Sequence, residues 1–182
     1  MKFVSILLCA IFLASPVSSL AEATDSLYSV PFMWRDENGK ALELSAFKGA
    51  PVLLTLAYTK CKSACPLTMQ RMKRVASELQ EVSPKTQYVI VSLDPENDTP
   101  KNLADFRRQY KLDERWHFLR GSEADLRKLA VLLGYSYQQR GDDDQIAHSN
   151  KLFALDSHGH IKEELEGLNS DTAPFVKKIS GF

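Results

Sequence analysis

The sequence has few cysteines, no excess of either charge and no long apolar run. Of its 182 residues only three are cysteine, and 23 basic side chains balance 23 acidic ones. This zero net charge lacks the basic excess of a nucleic-acid-binding protein, so we expect no nucleic-acid partner. Glycine and proline, at eight residues each, are too rare for a fibrous or disordered chain. The composition predicts one globular domain that acts on small ligands or on other proteins.

The first 21 residues have the pattern of a secretory signal peptide. Lys2 precedes a short apolar run over 3–14, and small residues before Ala21 form a cleavage site. The run is shorter than the roughly 20 apolar residues of a transmembrane helix. We therefore expect a periplasmic or otherwise exported protein, in which 22–30 form a flexible lead-in and 31–182 form the domain. The alternative is a retained segment that anchors the protein to the membrane, facing the periplasm.

Two cysteines remain after this cleavage, because Cys9 leaves with the signal peptide. Cys61 and Cys65 are only four positions apart. A disulfide that closes so short a loop removes little entropy from the unfolded chain, so it would stabilise the fold only slightly. In an oxidising compartment the pair is better explained by chemistry than by cross-linking. The alternative is an inert structural disulfide.

The pattern of apolar residues predicts an α/β fold with a mixed sheet flanked by helices. Apolar runs at 52–58 and 88–93 are typical of buried parallel strands. Helical spacing over 72–82 joins them into a βαβ unit, and Pro84 ends that helix. The predicted helix begins at the C-terminal end of a central strand, which is where open α/β sheets place their functional sites.

Turn and capping residues predict the remaining elements. The pair Asn38-Gly39 predicts an N-terminal hairpin, and His158-Gly159 predicts a late, closing hairpin between 152–155 and 161–165. Further helices are expected from Thr99, from about Ser122 to Gly134, and from Thr172 to Ile179.

The segment over 58–66 reads Y-T-K-C-K-S-A-C-P and joins the first buried strand to the first helix. The positive end of the helix and the flanking Lys60 and Lys62 favour a thiolate at Cys61. A thiolate is both the nucleophile of disulfide exchange and a soft ligand for Cu(I). The motif alone leaves both chemistries open.

His148 is the third candidate ligand, and we expect it at the start of the strand over 151–155 or in the loop before it. A lone histidine is more often a surface or hydrogen-bonded residue than a ligand. Asp94 and Asp98 are expected to order a turn and a helix start, with a supporting role behind the cysteines as the alternative. The other candidates are expected to be structural or solvated: Met69, Met72, His117, Asp142 to Asp144, His158 and His160.

Three motifs together resemble the Sco/SenC family of copper-binding assembly factors for cytochrome oxidase. They are Y-T-x-C-x-x-x-C-P at 58–66, D-P-x-x-D-T-P at 94–100, and H-S at 148–149 leading into L-D-x-x-G at 155–159. The resemblance spans most of the mature chain and implies a thioredoxin-like fold. It also implies that Cys61, Cys65 and His148 bind copper, as Cu(I), Cu(II) or both.

The resemblance implies a metallochaperone that helps to assemble the binuclear copper centre of cytochrome c oxidase. Its expected partners are a copper-receiving protein, a subunit of that oxidase, and a copper donor or thiol reductant. The alternative is a thiol–disulfide reductase or redox sensor, in which Cys61 attacks and Cys65 resolves. The longer C-x-x-x-C spacing weighs against a thioredoxin-type enzyme, which carries C-x-x-C. A peroxiredoxin relative is a third interpretation, with less support.

The residues between the cysteines depart from the family pattern. The family usually has proline after the first cysteine and an acidic residue within the motif, whereas Lys62-Ser63-Ala64 stands here. Our hypothesis is that the added positive charge favours thiolate and lowers the affinity for Cu(II). The variant Lys62→Asp tests it, because an unchanged cysteine titration and Cu(II) affinity would contradict the hypothesis.

Overall fold

The computed structural model describes residues 26–61, 64–140 and 145–182. The expected signal peptide, the Lys62 hypothesis and the aspartate run at 142–144 concern residues outside this part of the chain. Within the part described, no helix is both long and apolar enough to cross a membrane.

Nine strands and four α-helices make up the described chain. The strands are β1 (Trp34–Arg35), β2 (Ala41–Leu42), β3 (Val52–Ala57), β4 (Gln87–Ser92), β5 (Trp116–Leu119), β6 (Tyr137–Arg140), β7 (Gln145–His148), β8 (Lys151–Leu155) and β9 (Ile161–Glu166). The helices are α1 (Ala64–Val82), α2 (Pro100–Tyr110), α3 (Glu123–Leu132) and α4 (Ala173–Ile179). Two short 3₁₀ turns, Leu27–Ser29 and Leu44–Phe47, complete the set.

A five-stranded mixed sheet in the order β5-β4-β3-β8-β9 forms the centre of the fold. β4 pairs in parallel with both β3 and β5, whereas β8 pairs antiparallel with β3 and β9. Every residue of β3 is buried, as expected for an apolar run in the middle of a covered sheet. The prediction of a mixed sheet with helices is therefore confirmed.

Capping residues place the helices where the sequence predicts them. The Thr99 hydroxyl accepts a hydrogen bond from the Asn102 amide, and Pro100 takes the first helical position of α2. The Ser122 hydroxyl accepts from the Asp125 amide at the start of α3. α1 ends at Val82, two residues before Pro84.

Three strands differ from the sequence-based expectation. The sequence does not predict β5, because this strand has only four residues. β6 and β7 form a separate two-stranded hairpin, which the sequence does not predict because glutamines interrupt any apolar alternation. His148 therefore ends β7, three positions before β8, instead of opening β8 or lying in the loop before it.

The described part of the expected lead-in is packed against the domain. Leu27 is buried, and its amide donates a hydrogen bond to the carbonyl of Gly159. Ser26 forms an isolated β-bridge with His160. From Ser26 onward the chain thus belongs to the folded body.

Candidate metal centre

Cys61, Cys65 and His148 meet at the C-terminal edge of β3, although they come from three different elements. Cys61 lies in the loop after β3, Cys65 is the second residue of α1, and His148 ends β7. Their two sulfurs and one ring nitrogen lie within 4.8 Å of one another. Among residues 26–61, 64–140 and 145–182, no other group of three such side chains converges in this way.

The two cysteines differ in exposure and in their contacts. Cys61 is partly exposed, whereas Cys65 is 1% exposed. The amide of Cys65 donates a hydrogen bond to the sulfur of Cys61 over 3.2 Å. This amide belongs to the first turn of α1, where N–H groups have no helical partner, so the helix supports negative charge on Cys61.

The pKa of the Cys65 thiol lies far above its ordinary value. The main cause is the side-chain hydrogen bond with Cys61, followed by burial of the sulfur. The backbone amide of Tyr58 acts in the opposite direction and lowers this pKa. In the metal-free protein Cys65 is therefore a thiol, and a bound metal ion would have to replace its proton.

His148 directs one ring nitrogen towards this thiol. Its Nε2 lies 3.6 Å from the Cys65 sulfur, and its Nδ1 lies 2.7 Å from the carbonyl oxygen of Ser149. Because a carbonyl only accepts hydrogen bonds, Nδ1 carries the proton of the neutral ring. Nε2 then keeps its lone pair, which faces the Cys65 sulfur over 3.6 Å and is available to a metal ion.

Asp98 supports the cysteine loop from behind. Its carboxylate is fully buried, and it accepts hydrogen bonds from the amide and hydroxyl of Thr59 and from the hydroxyl of Ser92. Burial raises the pKa of Asp98, and these hydrogen bonds oppose that rise. Thr59 lies two residues before Cys61, so Asp98 connects the loop to the end of β4.

The remaining candidates lie away from the cluster or serve the fold. Asp94 orders the turn before α2 by accepting from the side-chain amide of Asn97. His158 is exposed, and His160 is partly buried with its Nδ1 3.1 Å from Asp156. Both histidines follow β8, whose last residue pairs with the first residue of β3, so they lie at the opposite end of the sheet.

Three buried or partly buried side chains confirm the structural roles expected for them. Met69 and Met72 are completely buried in the core. His117 packs its ring against Phe47, with 4.8 Å between centroids, and shares a hydrogen bond with Gln87.

Two tyrosines beside the histidine have no role that the sequence predicts. The ring of Tyr135 is stacked on the imidazole of His148 at 14°, and the ring of Tyr58 meets it edge-on at 82°. Tyr58 belongs to the cysteine motif, but Tyr135 follows α3 in a segment without any motif. No local signal in the sequence marks Tyr135, because its contact with His148 arises from the tertiary fold.

The donor set fits a soft metal ion of low coordination number. Two sulfurs and one imidazole nitrogen are favourable ligands for Cu(I), and the imidazole also suits Cu(II). A closed structural zinc site takes four ligands, one more than these side chains supply. Cys61 and His148 are both partly exposed, so the cluster lies close to the surface.

Residues 21–182 match the profile of the SCO1/SenC family. This chain belongs to that family. The SCO1 protein homologue of Bacillus subtilis is 26% identical over 153 residues, which cover 82% of this chain and 78% of the relative. The family predicted from the three motifs is thus confirmed.

Solved structures of Sco proteins share the fold. The structure of BsSco, a member of the Sco family of cytochrome c oxidase assembly proteins in which a disulfide switch is identified, has a TM-score of 0.71 at 25% identity. That match covers 86% of this chain and 95% of BsSco. Bradyrhizobium japonicum ScoI with copper bound has a TM-score of 0.69 at 24% identity, covering 82% of this chain and 98% of ScoI. The thioredoxin-like fold is confirmed by these likenesses.

Proposed function

We propose that this protein carries copper on Cys61, Cys65 and His148 and supplies it during assembly of the binuclear copper centre of cytochrome c oxidase. The observation that carries the proposal is the convergence of three soft-metal donors within 4.8 Å. Membership of the SCO1/SenC family and the copper-bound ScoI structure support it.

The geometry suits a protein that releases its cargo. Cys65 is buried at the inner side of the site, while Cys61 and His148 are both partly exposed. A receiving protein that offers its own thiolate or imidazole can therefore approach the ion from the side of Cys61 and His148. We propose a subunit of cytochrome c oxidase as that receiver, a copper donor protein as the source, and an exported, periplasmic location for the exchange.

Copper affinity of the reduced protein tests this proposal. We expect one equivalent of Cu(I) to bind tightly, and His148→Ala to lose most of that affinity because one of three donors is gone. His158→Ala is the matched control, since His158 is an exposed histidine at the other end of the sheet. Weak binding by the wild type, or equal binding by the two variants, would rule out the three-ligand site.

A thiol–disulfide reductase or redox sensor is the second candidate. The partly exposed Cys61 and the buried Cys65 are placed like an attacking and a resolving thiol. The Cys61 thiolate would attack a partner's disulfide and form a mixed disulfide. Cys65 would then displace the partner as a dithiol, leaving Cys61 and Cys65 oxidised to a disulfide and the partner reduced.

The same His148→Ala variant separates the two candidates. Disulfide exchange needs the two sulfurs but not the imidazole, so exchange with a disulfide substrate should persist in the variant. Copper binding, in contrast, should be lost in the variant. A wild-type protein that exchanges disulfides but binds copper weakly would favour the reductase.

A further inference from the structure

The strand that carries His148 is not hydrogen-bonded to the central sheet. Strands β6 and β7 pair with each other and form a sheet separate from the five-stranded one. The two cysteines, in contrast, follow β3 directly. Within the described chain, contacts outside the strand ladders must therefore hold the imidazole in line with the sulfurs.

Tyr135 makes such a contact. It is 5% exposed, and its hydroxyl lies 2.9 Å from Nδ1 of His148 and 3.2 Å from the carbonyl oxygen of Leu56. Leu56 belongs to β3, the strand that leads into the cysteine loop. One hydroxyl thus touches both the histidine and the strand that positions the cysteines.

The donor of each hydrogen bond in this arrangement is assigned from which atoms carry a hydrogen. The Leu56 carbonyl only accepts, so the hydroxyl hydrogen of Tyr135 is donated to it. The Tyr135 oxygen is then left to accept from the Nδ1–H of His148. The chain of hydrogen bonds runs from the imidazole through Tyr135 to β3, and it leaves Nε2 unprotonated and directed at Cys65.

Two other contacts do not replace this link. The Ser149 carbonyl shares the single Nδ1–H with Tyr135, but Ser149 is the next residue and moves with the histidine. The Tyr58 hydroxyl accepts from the amide of Ile146 over 3.0 Å, which holds the backbone of β7, and its ring meets the imidazole edge-on without a hydrogen bond to it. Among the described residues, Tyr135 makes the hydrogen bond that joins the ring nitrogen to β3.

We propose that Tyr135 is a positioning residue for copper, which sets both the tautomer and the direction of the His148 ring. This inference rests on the proposed copper function, but its structural part concerns the metal-free protein. Partners of the non-ligating nitrogen of a metal-bound histidine typically contribute about 10- to 100-fold to metal affinity.

Nitrogen-15 NMR of His148 in the reduced, copper-free wild type is the first test. We expect a single tautomer with the proton on Nδ1, and an Nδ1–H that exchanges slowly with water. A proton on Nε2, or a mixture of tautomers, would overturn the inference without the use of any variant.

The variant Tyr135→Phe is the second test, with Tyr88→Phe as its control. Tyr88 is also buried, and its hydroxyl also donates to a backbone carbonyl, that of Ala76. We expect Tyr135→Phe to accelerate Nδ1–H exchange and to weaken Cu(I) binding about 10- to 100-fold. Tyr88→Phe should change neither.

The two readouts separate failure of this inference from failure of the proposed function. If the wild type binds copper tightly and Tyr135→Phe matches it in affinity and in NMR signals, Tyr135 has no positioning role. If the wild type does not bind copper, the proposed function fails, and the tautomer and exchange rates still decide whether Tyr135 positions the ring.

Discussion

At the scale of single residues, the two cysteines are chemically distinct although they are four positions apart. We predict that iodoacetamide alkylates Cys61 before Cys65 in the reduced, metal-free protein. Cys61 is partly exposed, while Cys65 is buried and the pKa of its thiol is raised. Only the thiolate reacts rapidly with the reagent. Peptide mapping by mass spectrometry measures the order, and in denaturant both sites should react alike; equal rates in the folded protein would contradict the prediction.

Asp98 makes the stability of the protein depend on pH. Burial raises its pKa above the ordinary value of 3.8, so its stabilising contribution is complete below that pH. The contribution is lost as the pH rises through the raised pKa. We therefore predict that the free energy of unfolding of the wild type, relative to Asp98→Asn, falls as the pH rises above the ordinary pKa of 3.8. Urea denaturation at several pH values measures this difference.

Asp105 provides the control for that experiment. It is exposed, and the hydrogen bond from Lys101 lowers its pKa. Its contribution is complete above the ordinary pKa of 3.8 and is lost only as the pH falls below that value, so the difference from Asp105→Asn should stay flat as the pH rises above 3.8. A flat or rising difference for Asp98→Asn would mean that burial does not dominate at Asp98.

At the scale of elements, the turn between β8 and β9 depends on a glycine. Gly159 has φ +86°, and an added Cβ would lie 2.5 Å from the ring of Tyr28. Gly39 has a similar φ of +80°, but nothing lies near its missing Cβ. We predict that Gly39→Ala costs about 1–2 kcal/mol of stability through backbone strain alone.

The variant Gly159→Ala should cost about 1–3 kcal/mol more than Gly39→Ala, because it adds the steric clash with Tyr28. Thermal and urea unfolding measure both variants. Copper affinity should be unchanged in each, since the β8–β9 turn lies at the end of the sheet opposite the cysteines. Equal losses of stability in the two variants would show that the Tyr28 ring moves aside at little cost.

The elements also differ in how well the sequence predicts them. β3 and β4 are nearly continuous apolar runs, and α2 and α3 begin at residues that cap their own first turn. Those signals are local and are read directly from the chain. β6 and β7 carry polar residues, and they become strands by pairing with each other, so their local composition does not reveal them.

At the scale of the whole molecule, the proposed copper site joins the cysteine loop and the start of α1 to His148, which lies 83 positions after Cys65 in the chain. Copper bound to the folded state alone should therefore stabilise the entire domain. At a free Cu(I) concentration 100 times the dissociation constant, we predict a gain of about 2.7 kcal/mol. Unfolding of the reduced protein under anaerobic, chelator-buffered conditions measures the gain.

The histidine variants check that this stabilisation arises at the site. His148→Ala should lose most of the gain at the same free Cu(I) concentration, and His158→Ala should keep it. A gain of equal size in His148→Ala would place the stabilising copper elsewhere on the molecule.

The sequence by itself determined the family, the buried strands and the helix starts. It also determined that Cys61 and Cys65 lie close together where a strand leads into a helix. Each depends on short-range signals: apolar periodicity, capping side chains and motif spacing. Only the tertiary structure decided that His148, 83 positions after Cys65, lies 3.6 Å from it. The same holds for Tyr135 and for the burial of Asp98, because such contacts depend on how β7, α3 and β3 pack together and leave no pattern in the local sequence.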